Sequence, residues 1–148
     1  MPDHLVLRVV CKIALPAILM FAMYVQGHGE ISPGGGFQAG VIFASAFVLY
    51  ALIFGIRRAR EVAPEPVVER LVAGGVLIYA GVGVATLLLG GRFLDYDVLM
   101  KSQVAGQHLG IMLVEIGVGV TVASVMVTIF FTFADVLPKR ADVHEDGP

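Results

Sequence analysis

Four long apolar segments separated by short polar ones are the feature that most constrains the fold of this chain. They cover residues 5–26, 37–56, 71–90 and 109–133 of a 148-residue sequence that is 57% hydrophobic and 15% charged. A helix needs about 20 apolar residues to cross the roughly 30 Å hydrocarbon core of a bilayer. Lipid offers backbone groups no hydrogen-bond partners, and no alternating pattern of a β-barrel appears in the sequence. We therefore predict an all-α membrane protein with four transmembrane helices, forming a single domain over residues 1–148.

The lysines and arginines predict how these helices are oriented. Basic residues favour the cytoplasmic side of a membrane protein. Eight of the ten lie near the N-terminus, between the second and third segments, or in the C-terminal tail: Arg8, Lys12, Arg57, Arg58, Arg60, Arg70, Lys139 and Arg140. This distribution predicts that both termini are cytoplasmic. We expect segment 57–70 to be a short solvated turn on that side, and the segments around 27–36 and 91–108 to face the outside.

Composition and charge argue against several classes of protein. The net charge is −2, and the basic residues lie in connecting segments rather than along one helix face, so no nucleic-acid partner is expected. A single cysteine, Cys11, excludes an intrachain disulfide and a multi-cysteine metal site. No nucleophile–base pair, phosphate-binding loop or metal cluster is evident, so we expect no cofactor, no metal and no enzymatic activity. The first apolar run has no clear cleavage site, which favours a retained helix.

Small residues are frequent inside the apolar segments. The third segment contains "VAGGVLIYAGVGVA" and the fourth "EIGVGVTVASV". Glycine and alanine allow helix backbones to approach closely, which drives helix association in lipid. Four helices need less close-packing surface than this among themselves, which favours a subunit of a larger assembly. The alternative is that the small residues pack this bundle alone.

Glu115 is the only acidic residue well inside an apolar segment. We expect it about six residues into the fourth helix, roughly 9 Å from the helix start. A carboxylate at such a depth costs several kcal/mol unless it is paired, hydrated or protonated, so it is a candidate proton relay. The alternative is a protonated structural glutamate bonded to a neighbouring helix. His108 precedes it by two helical turns on the same face, about 10 Å away along the axis, so a water could link the two; equally, His108 could simply hydrate a helix end.

The stretch "GHGEISPGGGFQAG", residues 27–40, stands where the second helix is expected to begin. Ser32 and Pro33 suit an N-cap and a first helical position. Each glycine of the run Gly34 to Gly36 sacrifices roughly 1 kcal/mol of helix propensity relative to alanine. Such a run is favoured where another backbone or a file of water comes close. The bare amides of a helix N-terminus also favour an anion or the oxygen of a partner group.

These two motifs carry a resemblance to a known family. "GHGEISPGGGFQAGVI", together with "VEIGVGVTV", resembles the B subunit of Mrp-type multisubunit cation/proton antiporters, the MnhB family, which also occurs in membrane-bound hydrogenases related to respiratory complex I. The acidic position of the second motif, aspartate in many relatives, corresponds to Glu115. In the more familiar members the histidine stands closer to the proline, whereas here "GEIS" intervenes and adds Glu30. The matching or packing positions are Gly27, His28, Pro33, Gly34, Gly35, Gly36, Phe37, Gly40 and Gly117.

The resemblance implies a function and a setting. It implies a non-catalytic accessory subunit in the plasma or inner membrane of a prokaryote, which helps to form or seal a path for Na⁺ and H⁺ beside large antiporter-like subunits. Glu115, His28, His108 and Glu30 are then the candidates for that path. One alternative is the equivalent subunit of a membrane-bound hydrogenase or another redox-driven, complex-I-like pump. The other alternative is a purely structural scaffold.

Overall fold

The computed structural model describes residues 3–29 and 33–136, with side-chain surroundings from Leu5 onward. This part of the chain is helical. Five α-helices follow one another: α1 Asp3–Gly27, α2 Gly36–Phe54, α3 Ile56–Val62, α4 Glu65–Leu88 and α5 Gln103–Val136. A short 3₁₀ turn, Tyr96–Leu99, lies between α4 and α5.

Four of these helices, α1, α2, α4 and α5, are long and apolar enough to cross a membrane. Large apolar side chains cover the outside of the bundle; on α1, for example, Ile13 is 72% exposed and Met20 is 74% exposed. A water-soluble protein rarely exposes apolar surface on this scale, whereas lipid accepts it. The prediction of an all-helical chain with four long apolar helices is confirmed, and the chain is a multi-pass membrane protein.

The helix α5 is the centre of the bundle. Both α2 and α4 pack along it, and α1 packs mainly against α2. At 34 residues and 1.5 Å per residue, α5 is about 51 Å long, well beyond the roughly 30 Å of a bilayer core. We call the end of the bundle where α1 ends and α5 begins the glycine-loop end, and the opposite end the α3 end.

The connection between α2 and α4 differs from the solvated turn predicted for residues 57–70. It contains the helix α3, and α4 begins at Glu65, six residues before the expected position. Gly55, with φ 96°, ends α2 at Phe54 rather than at residue 56. Pro66 lies in the first turn of α4, where its missing N–H has no helical partner to lose. The prolines therefore start a helix here instead of breaking one.

Arg60 ties the α3 end together. Its Nη2 donates to Asp135 Oδ2 at 2.6 Å and lies 3.3 Å from Glu65 Oε1. The guanidinium also lies over the ring of Phe131, 5.3 Å from the ring centroid. The hydrogen bond to Asp135 raises the pKa of Arg60 above its ordinary value, against the opposing effect of burial. One side chain of α3 thus links α4 to α5.

The expected start of α2 at Ser32 and Pro33 is wrong. Pro33 precedes the helix, which begins at Gly36, and Ser32 lies outside the described residues. Gly35 adopts φ 114°, a left-handed conformation that glycine accepts without strain. Its N–H donates to the carbonyl oxygen of Val25 at 3.2 Å, so the chain folds back over the end of α1 before α2 begins.

The expected start of α5 at residue 109 is also wrong, because the helix begins at Gln103. The first two turns are covered by the preceding loop: a side chain on Gly110 would overlap the ring of Tyr96. Gln107 Nε2 also donates to Asp97 Oδ1 at 2.7 Å. These contacts stabilise helix where hydropathy alone predicts none. Glu115 therefore lies twelve residues, about 18 Å, from the start of α5 rather than six.

Candidate functional site

Glu115 is half-buried on α5, and its carboxyl group lies against the backbone of the loop that joins α1 to α2. A β-carbon added to Gly29 would lie 2.7 Å from Oε2 and 2.8 Å from Cδ of Glu115, and one added to Gly35 would lie 3.2 Å from Oε1. Residue 29 thus has no room for a side chain while the carboxyl stays in place, and at residue 35 a side chain would require the carboxyl to shift by a few tenths of an ångström. We call Gly29 and Gly35 the glycine cradle.

The two glycines at the start of α2, Gly36 and Gly40, contact the main chain of α5, and Gly40 also contacts the side chain of Val122. A β-carbon on Gly36 would overlap the carbonyl oxygen of Glu115, and one on Gly40 would lie 2.7 Å from the carbonyl oxygen of Gly119. Backbones meet this closely only where small residues face each other. The motif at residues 27–40 and the motif around Glu115, far apart in sequence, therefore form one site.

The end of α1 holds the loop in place. The carbonyl oxygen of Val25 accepts hydrogen bonds from the N–H groups of Gly35, at 3.2 Å, and His28, at 3.4 Å. A β-carbon on Gly34 would lie 2.9 Å from the same oxygen. Each glycine of the run Gly34–Gly36 thus has a neighbour that excludes a side chain: Val25 for the first, Glu115 for the other two.

His28 immediately follows α1 and is held against its last turn. Its ring stacks on Tyr24, with centroids 4.0 Å apart and an angle of 27° between the planes. Nδ1 lies 3.2 Å from the carbonyl oxygen of Tyr24, so a protonated Nδ1 donates to it. His28 immediately precedes Gly29 of the cradle, which places it beside the loop that contacts Glu115.

An open groove of about 530 Å³ lies at the glycine-loop end, next to the first turns of α5. Its lining residues are Gly29, Gln103, Val104, Gln107, His108 and Ile111. Gly29 borders the groove that His108 also lines, and it touches the carboxyl of Glu115.

Gln26 is a polar residue of this site that sequence reasoning missed. Its Oε1 reaches α5, where a β-carbon on Gly119 would lie 2.7 Å from it. Gly119 is one helical turn after Glu115, so an amide from α1 and a carboxyl from α5 occupy adjacent turns. The available signal was a lone amide in the last turn of an otherwise apolar segment.

The remaining predicted residues have different positions. Pro33 is exposed, and Phe37 is 61% exposed on the outside of α2. Gly117 faces α4, where a β-carbon on it would lie 2.8 Å from the carbonyl oxygen of Gly75. Glu30 lies outside the described residues. Within residues 3–29 and 33–136, no group of three His, Cys, Asp or Glu side chains has a geometry that could hold a metal ion.

Comparison with known proteins identifies the family of this chain. A family model described as "Domain related to MnhB subunit of Na+/H+ antiporter" matches residues 6–128. A protein of Staphylococcus haemolyticus (strain JCSC1435) named "Putative antiporter subunit mnhB2" is 35% identical over 135 residues, which are 89% of this chain and 95% of that protein. Proteins of the same name in Staphylococcus aureus strains Newman and JH1 are 33% identical over the same length and shares. The match includes both the glycine loop and the turn of α5 that carries Glu115, and the chain belongs to the MnhB family.

Proposed function

We propose that this chain is a non-catalytic accessory subunit of a multisubunit Na⁺/H⁺ antiporter in the plasma or inner membrane of a prokaryote. Membership of the MnhB family supports this role, as do relatives that are named antiporter subunits and match over 95% of their length. The partners are other membrane subunits of the complex, the surrounding lipid, and the transported ions Na⁺ and H⁺.

The observation that most supports a role in ion transport is the position of the Glu115 carboxyl inside the glycine cradle. An ionised carboxylate in an apolar helix bundle is costly unless water, a cation or a hydrogen-bond donor reaches it. Such a group changes readily between a protonated and an ion-paired state, which is the chemistry of exchanging H⁺ for a cation. Glu115 is therefore the residue of this chain that we place on the ion path.

The groove at the glycine-loop end is the approach to Glu115. His108 and Gly29 both line the groove, and Gly29 also touches the carboxyl of Glu115. His28 precedes Gly29, and we place it beside this path; Glu30, which follows Gly29 in the sequence, is a candidate for the path by its sequence position alone. The path continues toward Gln26 of α1, whose Oε1 lies beside Gly119, one helical turn after Glu115 on α5.

Charge distribution supports an orientation of the bundle. Arg57, Arg58 and Arg70 lie at the α3 end and are exposed, as are Arg8 and Lys12 on the first turns of α1. Basic residues near helix ends favour the cytoplasm. The α3 end and both chain termini are thus on the cytoplasmic side, and the groove opens to the outside.

The test is cation-dependent proton movement in membrane vesicles, measured per assembled complex for Glu115→Gln and Glu115→Asp. Gln keeps the size of the side chain and removes its titratable proton, so we expect a loss of about tenfold or more, on the scale of removing one proton-transferring group. Asp keeps the carboxyl and should keep most of the activity. Full activity with Gln would remove Glu115 from the path, and a loss of assembly in step with activity would make the subunit a scaffold.

Identifying the partner subunits tests whether an ion gradient or electron transfer drives the complex. The chain is tagged in its native membrane, extracted in mild detergent, and its companions are identified by mass spectrometry. Large antiporter-like subunits without redox proteins support the antiporter. Hydrogenase-like or complex-I-like subunits would instead assign the same path to a redox-driven pump, and a chain recovered alone would contradict the subunit role.

A further inference from the structure

We propose that Gly29 is a positioning residue for Glu115: the missing side chain at residue 29 sets how far the carboxyl extends toward the groove. This inference rests on the proposed role of Glu115. It makes Gly29, which follows α1, part of the site, because this residue defines where the carboxyl stops.

Space, and not backbone conformation, is what requires glycine at residue 29. Among the residues that the structure describes, the glycines with positive φ are Gly35, Gly55 and Gly90, so Gly29 has a backbone that other residues also adopt. A β-carbon there would nevertheless lie 2.7 Å from Oε2 and 2.8 Å from Cδ of Glu115. An alanine at residue 29 is therefore unstrained by itself and conflicts with one side chain.

The carboxyl cannot yield by moving its helix. The carbonyl oxygen of Glu115 and the amide nitrogen of Gly119 are in contact with Gly36, so α2 fixes the main chain of α5 at this turn. A methyl group at residue 29 must then push the carboxyl sideways, away from the groove, or push the loop outward. Either movement changes the distance between Glu115 and the groove that leads to it.

The chain length of the acid provides the decisive experiment. Glu115→Asp removes one methylene and withdraws the carboxyl by about 1.5 Å, one bond length along the chain, which clears the space beside residue 29. Gly29→Ala should consequently be harmful with Glu at residue 115 and tolerated with Asp. Two residues that touch in this way are energetically coupled, and the coupling can be measured with a double-mutant cycle.

The cycle consists of the unmodified complex, Gly29→Ala, Glu115→Asp and the double variant. Each is assayed for cation-dependent proton movement per assembled complex and for the melting temperature of the purified complex. We expect Gly29→Ala to lower activity about tenfold beside Glu115 and less than about twofold beside Asp, which is the scale of coupling between residues in contact. Rescue of activity per assembled complex is a readout that a general folding defect would not produce.

Two glycines nearby serve as controls. Gly27 has nothing within 4 Å of an added β-carbon, so Gly27→Ala should leave both readouts unchanged in either background. Gly36→Ala overlaps the carbonyl oxygen of Glu115, an atom that Asp retains. Its defect should persist in the Glu115→Asp background. Only the alanine at residue 29 should respond to the length of the acid.

An equal effect of Gly29→Ala in both backgrounds would overturn the inference, since the methyl group would then act on the groove or the loop and not on the carboxyl. The experiment distinguishes failure of this inference from failure of the ion-path proposal. If Glu115→Gln proves fully active, the coupling still appears in the melting temperature; if Glu115→Gln is inactive and no coupling appears in either readout, only the positioning role fails.

Discussion

The crossing of α4 and α5 allows a sharp comparison between two adjacent glycines. Gly75 faces α5: an added β-carbon would lie 2.6 Å from the carbonyl oxygen of Gly117 and 2.8 Å from the amide nitrogen of Thr121. Gly74, the preceding residue, has nothing within 4 Å of such an atom. The two positions share a helix and a residue type, and they differ in what they contact.

The expected magnitude follows from these distances. Both Gly74→Ala and Gly75→Ala gain up to about 1 kcal/mol of helix propensity, so this contribution cancels in the comparison. Gly75→Ala additionally forces two backbones apart by roughly half an ångström to one ångström, and overpacking of this kind costs typically 1–3 kcal/mol. We therefore expect Gly75→Ala to be less stable than Gly74→Ala by about 1–3 kcal/mol, the overpacking cost alone.

The assay is reversible unfolding of the purified chain in mixed micelles, with helix content followed as denaturing detergent is added. The free energy of unfolding is compared between the two variants under the same conditions. Equal free energies would show that α4 and α5 do not meet at this pair of residues, and would refute the helix arrangement described above.

Three further predictions concern residues outside the cradle. Thr86 is fully buried, and its hydroxyl oxygen accepts a hydrogen bond from the N–H of Leu94 at 3.0 Å. In the same unfolding assay, Thr86→Val should lower the free energy of unfolding by about 1–3 kcal/mol, because it leaves that N–H without an acceptor. Thr86→Ser keeps the hydroxyl and should not have this effect. Burial raises the pKa of Tyr96 above its ordinary 10.0, which favours the neutral form in the folded state; stability should fall as the pH rises above 10, and melting curves of Tyr96→Phe should lack that fall. Asp135→Asn removes one of the two carboxylate partners of Arg60, and Asp135 itself is exposed, so its effect on the melting temperature should be small and should disappear at high salt; an effect that persists would contradict the pairing.

The four long helices could be predicted because hydropathy alone decides which segments prefer lipid. The helix ends could not be predicted in the same way, since tertiary contacts set them. α5 begins at Gln103 because Tyr96 and Asp97 cover its first turns, and a window of hydropathy does not detect that cover. α2 begins at Gly36 because Gly35 bonds to Val25, a contact with the preceding helix.

The sequence predicted the separate residues of the site but not the contacts between them. The glycine run correctly indicated that another backbone comes close, and the intramembrane acid indicated a candidate for the ion path, but no periodicity shows that these two features meet. Gln26 could not be predicted as a site residue, because a single amide at a helix end is common. Its contact with Gly119 depends on how α1 and α5 are placed side by side, which the order of residues does not specify.

The measurement that most directly tests whether the groove leads to Glu115 is thiol labelling at that position. A cysteine reacts with a methanethiosulfonate reagent only as a thiolate, and therefore only where water reaches it. The native Cys11 is buried and serves as the silent background, Gln103→Cys at the groove as the accessible control, and Ser124→Cys, 5% exposed, as the inaccessible one. A membrane-impermeant reagent added on the groove side should label Glu115→Cys at a rate close to that of Gln103→Cys. Labelling no faster than that of Ser124→Cys, in an assembled complex, would contradict a water-filled approach to Glu115.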